Sequence, residues 1–190
     1  MRTFIAIELP QEIKKHIASI QEKLRPCDAD VKWVEPDNIH LTLKFLGEID
    51  ENKVAAISET MEGLANQRSH FVVSITSLGA FPKIDSPRVI WLGIEKGAAE
   101  TQGLAAGLEE KLKKLGISKE ERPFSSHITI GRTRSARNIR KLAEALKTES
   151  QYLGAKGLLF ETGRITLYKS TLTPKGPVYQ ALKEADLKTT

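Results

Sequence analysis

Residues 36–43 read Pro-Asp-Asn-Ile-His-Leu-Thr-Leu, and residues 123–130 read Pro-Phe-Ser-Ser-His-Ile-Thr-Ile. Pro, His and Thr recur at the same offsets, and each His is followed by an apolar residue, Thr and another apolar residue. Such alternation is the period-2 pattern of a strand with two unlike faces. His40 and Thr42 share one face, with Leu41 and Leu43 on the other. His127 and Thr129 share a face in the same way, opposed to Ile128 and Ile130. The aliphatic faces should be buried against helices, which turns the His/Thr faces into a groove. Each Pro, four residues ahead of its His, limits the strand's start because it cannot donate to a ladder. With about half of all positions apolar and Thr at its usual frequency, a given His meets this pattern about one time in a hundred. Two of the four histidines meet it here. The duplication predicts two related halves that bring one imidazole each to a shared cleft.

The rest of the chain alternates strands and helices around these two segments. Arg2 to Glu8 reads as a first strand. Pro10 suits a helix's first turn, and Ile13, Ile17, Ile20 and Leu24 follow at helical spacing before Pro26 ends the helix. Val31 to Val34 forms a short strand. The first His strand runs on through Phe45 and Leu46 to a turn at Gly47. Asp50 caps a second helix with the stripe Val54, Ile57, Met61 and Leu64. His70 to Leu78 is a strand, the segment around Pro82 and Pro87 a loop, and Arg88 to Ile94 a further strand. A third helix carries Leu104, Leu108, Leu112 and Leu115 and stops at Gly116. After the second His strand, Ser135 caps a fourth helix with Ile139, Leu142 and Leu146. Leu158 to Glu161, Arg164 to Ser170 and a shorter stretch near Val178 to Ala181 complete the strands. The expected fold class is α+β: two pseudo-symmetric lobes of mostly antiparallel sheet, with outer helices, around a central cleft. Residues 1–190 are expected to make a single domain of two interleaved lobes.

The totals bound the function. With 190 residues, 40% hydrophobic and 28% charged, the chain can fill one core. It has no run of 18 apolar residues, so no membrane span is expected. The first eight residues are too short and acidic too soon for a signal peptide. The lone Cys27 cannot form an internal disulfide, which fits a reducing cytoplasm. The formal net charge of +5 favours polyanionic partners. Beside a His-lined groove, it points to a substrate bearing phosphate.

Two facing imidazoles can do two-proton chemistry. Their ordinary pKa lies close to neutral pH, so one can be neutral while the other is charged. The neutral ring takes a proton from water and the imidazolium gives one to a leaving oxygen. In displacement at phosphorus the attacking and leaving oxygens lie roughly in line, so the two catalysts belong on opposite walls. Hydroxyls of Thr42 and Thr129 are placed to hold the non-bridging oxygens as charge accumulates. The pattern does not suit a metal centre, which asks for three or four ligands where each motif offers one His. No phosphate-cradling glycine loop and no Gly-x-Ser-x-Gly nucleophile is present.

The paired His-x-Thr strands, with Trp33 upstream and the runs Asn38 to Gly47 and Ser126 to Arg132, closely resemble the 2H phosphoesterase superfamily. Within it the best likeness is to the RNA 2′,3′-cyclic phosphodiesterases, formerly called 2′-5′ RNA ligases. The resemblance extends to Arg2 to Ile7, Pro87 to Gly93, Leu167 to Ser170 and Gly176 to Tyr179. It implies hydrolysis of terminal 2′,3′-cyclic phosphates on RNA to 2′-phosphates, with no metal and no cofactor. It also implies that His40 is the proton donor to the departing 3′ oxygen and His127 the acceptor that activates water. Thr42, Thr129 and Arg132 would contact the phosphate. The same pair run backward, with an RNA 5′-hydroxyl in place of water, would form a 2′-5′ linkage. Gly131 stands where Ala is common in the family, which leaves the aim of Arg132 open.

Other residues have plainer readings. Arg134 suits a solvated basic turn. Alternation puts Lys44 on the His40 face, where it would be solvated. Trp33, Phe45, Trp91 and Phe124 read as core residues, with stacking on a base as the alternative. His16 is expected on an exposed helix face and His70 without a chemical role. Two further functions stand beside the leading one: a non-catalytic RNA- or nucleotide-binding module, and a cyclic phosphodiesterase of small nucleotides. A monomer in the cytoplasm, without a membrane partner, is expected.

Overall fold

The computed structural model describes residues 1–174 and 176–189. In chain order its elements are β1 (Arg2–Glu8), α1 (Gln11–Leu24), β2 (Val31–Trp33), β3 (His40–Glu48) and α2 (Val54–Ala65). There follow β4 (Phe71–Lys83), β5 (Ser86–Ile94), α3 (Ala98–Lys113), β6 (His127–Thr133), α4 (Ile139–Lys156), β7 (Leu158–Thr162), β8 (Arg164–Thr173) and β9 (Gly176–Asp186). The strands form two antiparallel sheets, one ordered β3-β1-β8-β9 and the other β2-β6-β5-β4-β7. The α+β expectation therefore holds. β2 leaves the first half of the chain to edge the second sheet, while β8 and β9 return from the second half to complete the first. The halves are interleaved.

Amphipathic helices cover the aliphatic faces of both sheets. In α1, Ile13, Ile17 and Leu24 are buried, and in α4, Leu142, Leu146 and Leu153 are. They meet Ile5, Ile7, Leu41, Leu43, Ile128 and Ile130 in one continuous core. Each fully buried aliphatic side chain contributes about 1.5–3 kcal/mol. Gln21, itself buried, sends its amide to the carbonyls of Val34 and Ile130, at 2.8 and 2.9 Å. That side chain ties α1 to both the β2 end and the second His strand.

Five local readings need correction. Asp50 does not cap α2: a 3₁₀ turn at Glu51–Lys53 lies between them, and the Asp50 side chain makes no capping hydrogen bond. Pro82 and Pro87 lie in strands of one long hairpin, where they face one another and neither has to donate to its neighbour. The first His strand passes Gly47 without turning. Gly47 takes φ +72° opposite Thr3, beside a bulge that leaves Leu46 unpaired, and β3 continues to Glu48. Helix α4 starts at Ile139 after Asn138 in the left-handed region, and the Ser135 hydroxyl accepts only from the Arg137 amide. The last strand is longer than its apolar residues suggested, pairing with β8 from Gly176 to Asp186.

Gly131 has a packing reason. A Cβ there would come within 2.9 Å of both Trp33 Cε3 and Val31 Cγ1 on the neighbouring edge strand. Gly131→Ala is therefore expected to lower stability by about 1–3 kcal/mol, the usual cost of overpacking. Thermal unfolding should show part of that loss recovered in Gly131→Ala/Val31→Ala. An unchanged melting temperature in the single variant would refute the packing account.

Candidate active site

Each His strand departs from simple alternation at the same place. In β3, Ile5 pairs with Lys44 and Ala6 with Thr42, so Leu43 is an extra residue. In β6, Ile90 pairs with Gly131 and Trp91 with Thr129, so Ile130 is an extra residue. Both bulges fall three residues after the imidazole, and a bulge reverses the phase of the strand beyond it. Leu43 and Lys44 are consequently both buried, as are Ile130 and Gly131. Phe45 and Arg132, five residues after their histidines, come round to the His/Thr faces. Phe45 is 53% exposed there, which corrects its reading as core. Lys44 leaves the His40 face altogether, against the alternation-based expectation.

His40, Thr42 and Phe45 thus line the open face of the first sheet, with Phe4, Tyr168 and Tyr179 from its other strands. His127, Thr129 and Arg132 line the corresponding face of the second, with Trp91 and Phe81. β3 and β6 run beside each other where the sheets meet. The five residues singled out for the site thus lie on the two groove faces. Arg134 is exposed, His16 is exposed on α1, and His70 faces Glu161 at 3.8 Å away from these faces. Trp33 lies under the Arg25 guanidinium, and Phe124 packs against the core.

The two imidazoles are held alike. His40 Nδ1 lies 2.7 Å from the Asn38 carbonyl, and His127 Nδ1 lies 2.7 Å from the Ser125 carbonyl. A carbonyl oxygen only accepts, so each Nδ1 carries the proton and donates it. Each neutral ring is left with its Nε2 lone pair available for proton transfer.

Their surroundings differ. His40 stacks on Phe4 at 4.7 Å and meets the edge of Tyr179 at 5.4 Å. Burial pushes its pKa down to about 4, the Lys14 ammonium adds to the lowering, and the bond to Asn38 opposes both. Lys14 is itself buried, bonded to Glu8 Oε1 at 3.3 Å and to the Asp37 carbonyl at 3.2 Å. Asn38 Nδ2 donates to the Pro177 carbonyl at 2.9 Å, fixing the turn from the other side. His127 is flanked by Phe81 at 5.3 Å and Trp91 at 6.5 Å, both edge-on. The Trp91 ring lies over Gly79, where a Cβ would come within 2.5 Å of it.

Burial raises the pKa of Tyr168 to about 12, with the Glu8 carboxylate adding to the shift. Tyr179 is raised by burial too, against the pull of Arg2 and Arg132. Both phenols stay protonated near neutral pH, and the charge of Arg132 reaches across to the first sheet. Phe4, Phe81, Tyr168, Tyr179 and Lys14 were missed as site residues. Each tyrosine stands between an apolar and a polar neighbour, Leu167 and Lys169 or Val178 and Gln180, which is a weak signal, and Lys14 carries none beside Lys15 in α1. Among the described residues no cluster of three or more His, Cys, Asp or Glu is arranged to hold a metal ion.

The model of the family described as LigT like phosphoesterase matches this chain twice, over residues 7–91 and 92–179. The RNA 2′,3′-cyclic phosphodiesterase of Methanocaldococcus jannaschii is 38% identical over 184 residues, covering 97% of this chain and 99% of that one. The protein of the same name from Archaeoglobus fulgidus is 38% identical over 183 residues, covering 96% and 98%. In three dimensions the crystal structure of TT0787 of Thermus thermophilus superposes with a TM-score of 0.82 at 30% identity, covering 100% and 99%. Escherichia coli LigT complexed with 3′-AMP gives 0.76 at 27% identity, covering 98% of each chain. Two family matches, one to each His-bearing half, agree with the duplicated strands, and the chain belongs to the LigT-like 2H phosphoesterase family.

Proposed function

We propose that the protein hydrolyses RNA 2′,3′-cyclic phosphate ends to 2′-phosphates without a metal ion, with His40 as proton donor and His127 as proton acceptor. The observation that carries this reading is the matched pair of Nδ1–carbonyl bonds, which leaves one Nε2 free on each groove face. Relatives 33–38% identical that bear the name RNA 2′,3′-cyclic phosphodiesterase support the substrate class.

His127 Nε2 takes a proton as the water oxygen bonds to phosphorus. The bond from phosphorus to the 3′ oxygen breaks, and His40 Nε2–H gives that oxygen its proton. Each transfer contributes about 10²–10⁴-fold in rate. Thr42 and Thr129 donate to the non-bridging oxygens, and Arg132 offers a guanidinium to the same charge. Phe45, exposed on the groove face, is a platform for a base of the RNA. With an RNA 5′-hydroxyl in place of water the same displacement makes a 2′-5′ linkage: His127 takes the hydroxyl's proton and His40 again protonates the departing 3′ oxygen, so the step runs in the hydrolytic direction rather than backward.

With an RNA oligomer ending in a 2′,3′-cyclic phosphate, activity should persist in chelator and yield a 2′-phosphate end. His40→Ala and His127→Ala should each lose about 10²-fold or more, the lower range for a general acid or base. Activity that survives either change, or binding without turnover in the parent protein, overturns the proposal.

The depressed His40 pKa gives a second test. A donor must be protonated, and the free ring loses its proton as pH rises through about 4. A phosphate anion beside it favours the charged form and raises that value. The alkaline limb of kcat, set by the complex, should therefore lie at higher pH than that of kcat/KM, set by the free protein. Coincident limbs would remove His40 from the donor role.

Arg132→Met should raise KM and reduce the salt dependence of RNA binding by about one phosphate's share, a change of about 0.7 in the log–log slope for a single strand. An unaltered slope would place Arg132 outside the phosphate contacts.

A further inference from the structure

We infer that Lys44 is a positioning residue, which grips from behind the first His strand the irregular segment that delivers the second histidine. The phase change after Thr42 turns Lys44 away from the groove, and its side chain is only 1% exposed. Its ammonium lies 2.8 Å from Glu109 Oε2 on α3 and 3.1 Å from the Ser118 carbonyl. The other oxygen of Glu109 accepts from the Glu120 amide at 3.0 Å. Lys44 and Glu109 together therefore hold two backbone groups of residues 117–126.

That segment has no helix or strand of its own, and near its end it carries Ser125, whose carbonyl fixes the His127 ring. α3 holds its far end too, where the Thr101 and Ser126 hydroxyls lie 2.8 Å apart. Between these anchors, residues 119–123 are exposed and only Phe124 turns inward. The grip of Lys44 and Glu109 thus restrains the segment's entry, beyond the Ile117 amide's own bond to the Leu112 carbonyl at 3.2 Å. The position matching Lys44 in β6 is Gly131, which has no side chain. The anchoring runs one way, from the strand of one imidazole to the approach of the other.

A buried ammonium lost alone would strand the Glu109 carboxylate, so Lys44→Met confounds positioning with stability. Lys44→Met/Glu109→Gln avoids this. Both groups become neutral, Gln keeps an acceptor for the Glu120 amide, and only the Ser118 carbonyl loses its partner. The kinetic arm rests on the proposed phosphodiesterase reaction; an imidazole resonance arm does not. In the double variant the melting temperature should return close to the parent's while kcat stays about tenfold low, within the range for misplacing a catalytic group. Its KM should change by less than about twofold, consistent with substrate binding left intact. Glu109→Gln alone, which keeps the Lys44–Ser118 bond, should keep kcat near the parent's. With ¹⁵N-labelled histidine, the Nδ1–H signal of His127 should broaden in the double variant while that of His40 stays sharp.

A double variant with the parent's kcat and an unaltered His127 signal would overturn the inference. So would equal broadening of both histidines, which marks general loosening. A parent protein inactive on cyclic phosphate ends would refute the proposed reaction alone, leaving the His127 signal to decide the role of Lys44.

Discussion

A peptide carbonyl accepts hydrogen bonds and never donates them, and that one-sidedness sets the tautomer of both groove imidazoles. His40 and His127 each give their Nδ1 proton to the carbonyl two residues upstream, at 2.7 Å. The chain just ahead of each strand is thereby part of the site, because a shift of that carbonyl turns the ring. The two halves secure it differently. Ahead of His40, the 3₁₀ turn at Pro36–Asn38 is held by Lys14 on one side and by the Pro177 carbonyl on the other. Ahead of His127 there is no turn of helix, and α3 holds the approach through Glu109 and Thr101. The two halves share the bond to the imidazole, but each fixes the acceptor in its own way.

The paired bulges explain why a symmetric motif makes an asymmetric groove. One extra residue in each strand brings the fifth position after His to the open face. That position is Phe45 in one strand and Arg132 in the other. The same backbone irregularity therefore presents an aromatic surface on one wall and a guanidinium on the other. An RNA end is asymmetric in the same sense, with a flat base and a charged backbone. Four residues after His, the bulge gives Lys44 to the protein's interior in one strand and puts Gly131 against Trp33 and Val31 in the other.

Most elements were legible because each writes a local pattern: the leucine stripes of α3, the alternation of His-x-Thr, the apolar runs of β4 and β5. The histidine faces followed from two residues of spacing. What escaped was set by partners distant in sequence. No local pattern announces that Ile5 will skip Leu43 to meet Lys44, so the faces of Lys44 and Phe45 were assigned in reverse. Arg132 was reached through family likeness, since plain alternation from His127 would place it on the buried side. Pro82 and Pro87 read as loop because each breaks a ladder alone, yet opposite one another they need no donor. The length of β9 was hidden because beyond Ala181 its exposed residues, Glu184 and Asp186, are polar, and only β8 reveals its register.

The site's electrostatics add a last step. Two rings with the same backbone bond have unlike neighbours, and His40 lies between Phe4 and Tyr179 with the Lys14 ammonium behind it. Those neighbours favour the neutral ring, and its pKa of about 4 leaves it without the proton a donor must carry near neutral pH in the empty groove. A singly charged phosphate about 4 Å away, at the effective dielectric of a protein surface, favours imidazolium by about 4 kcal/mol. That shift is upward, toward the neutral range where a general acid is most effective. Under the proposed reaction, a cyclic phosphate entering the groove would bring the charge that returns the proton to His40, while an empty groove leaves the ring neutral. The aromatic burial that keeps the ring neutral in the free protein would thus tie its protonation to the arrival of an anion.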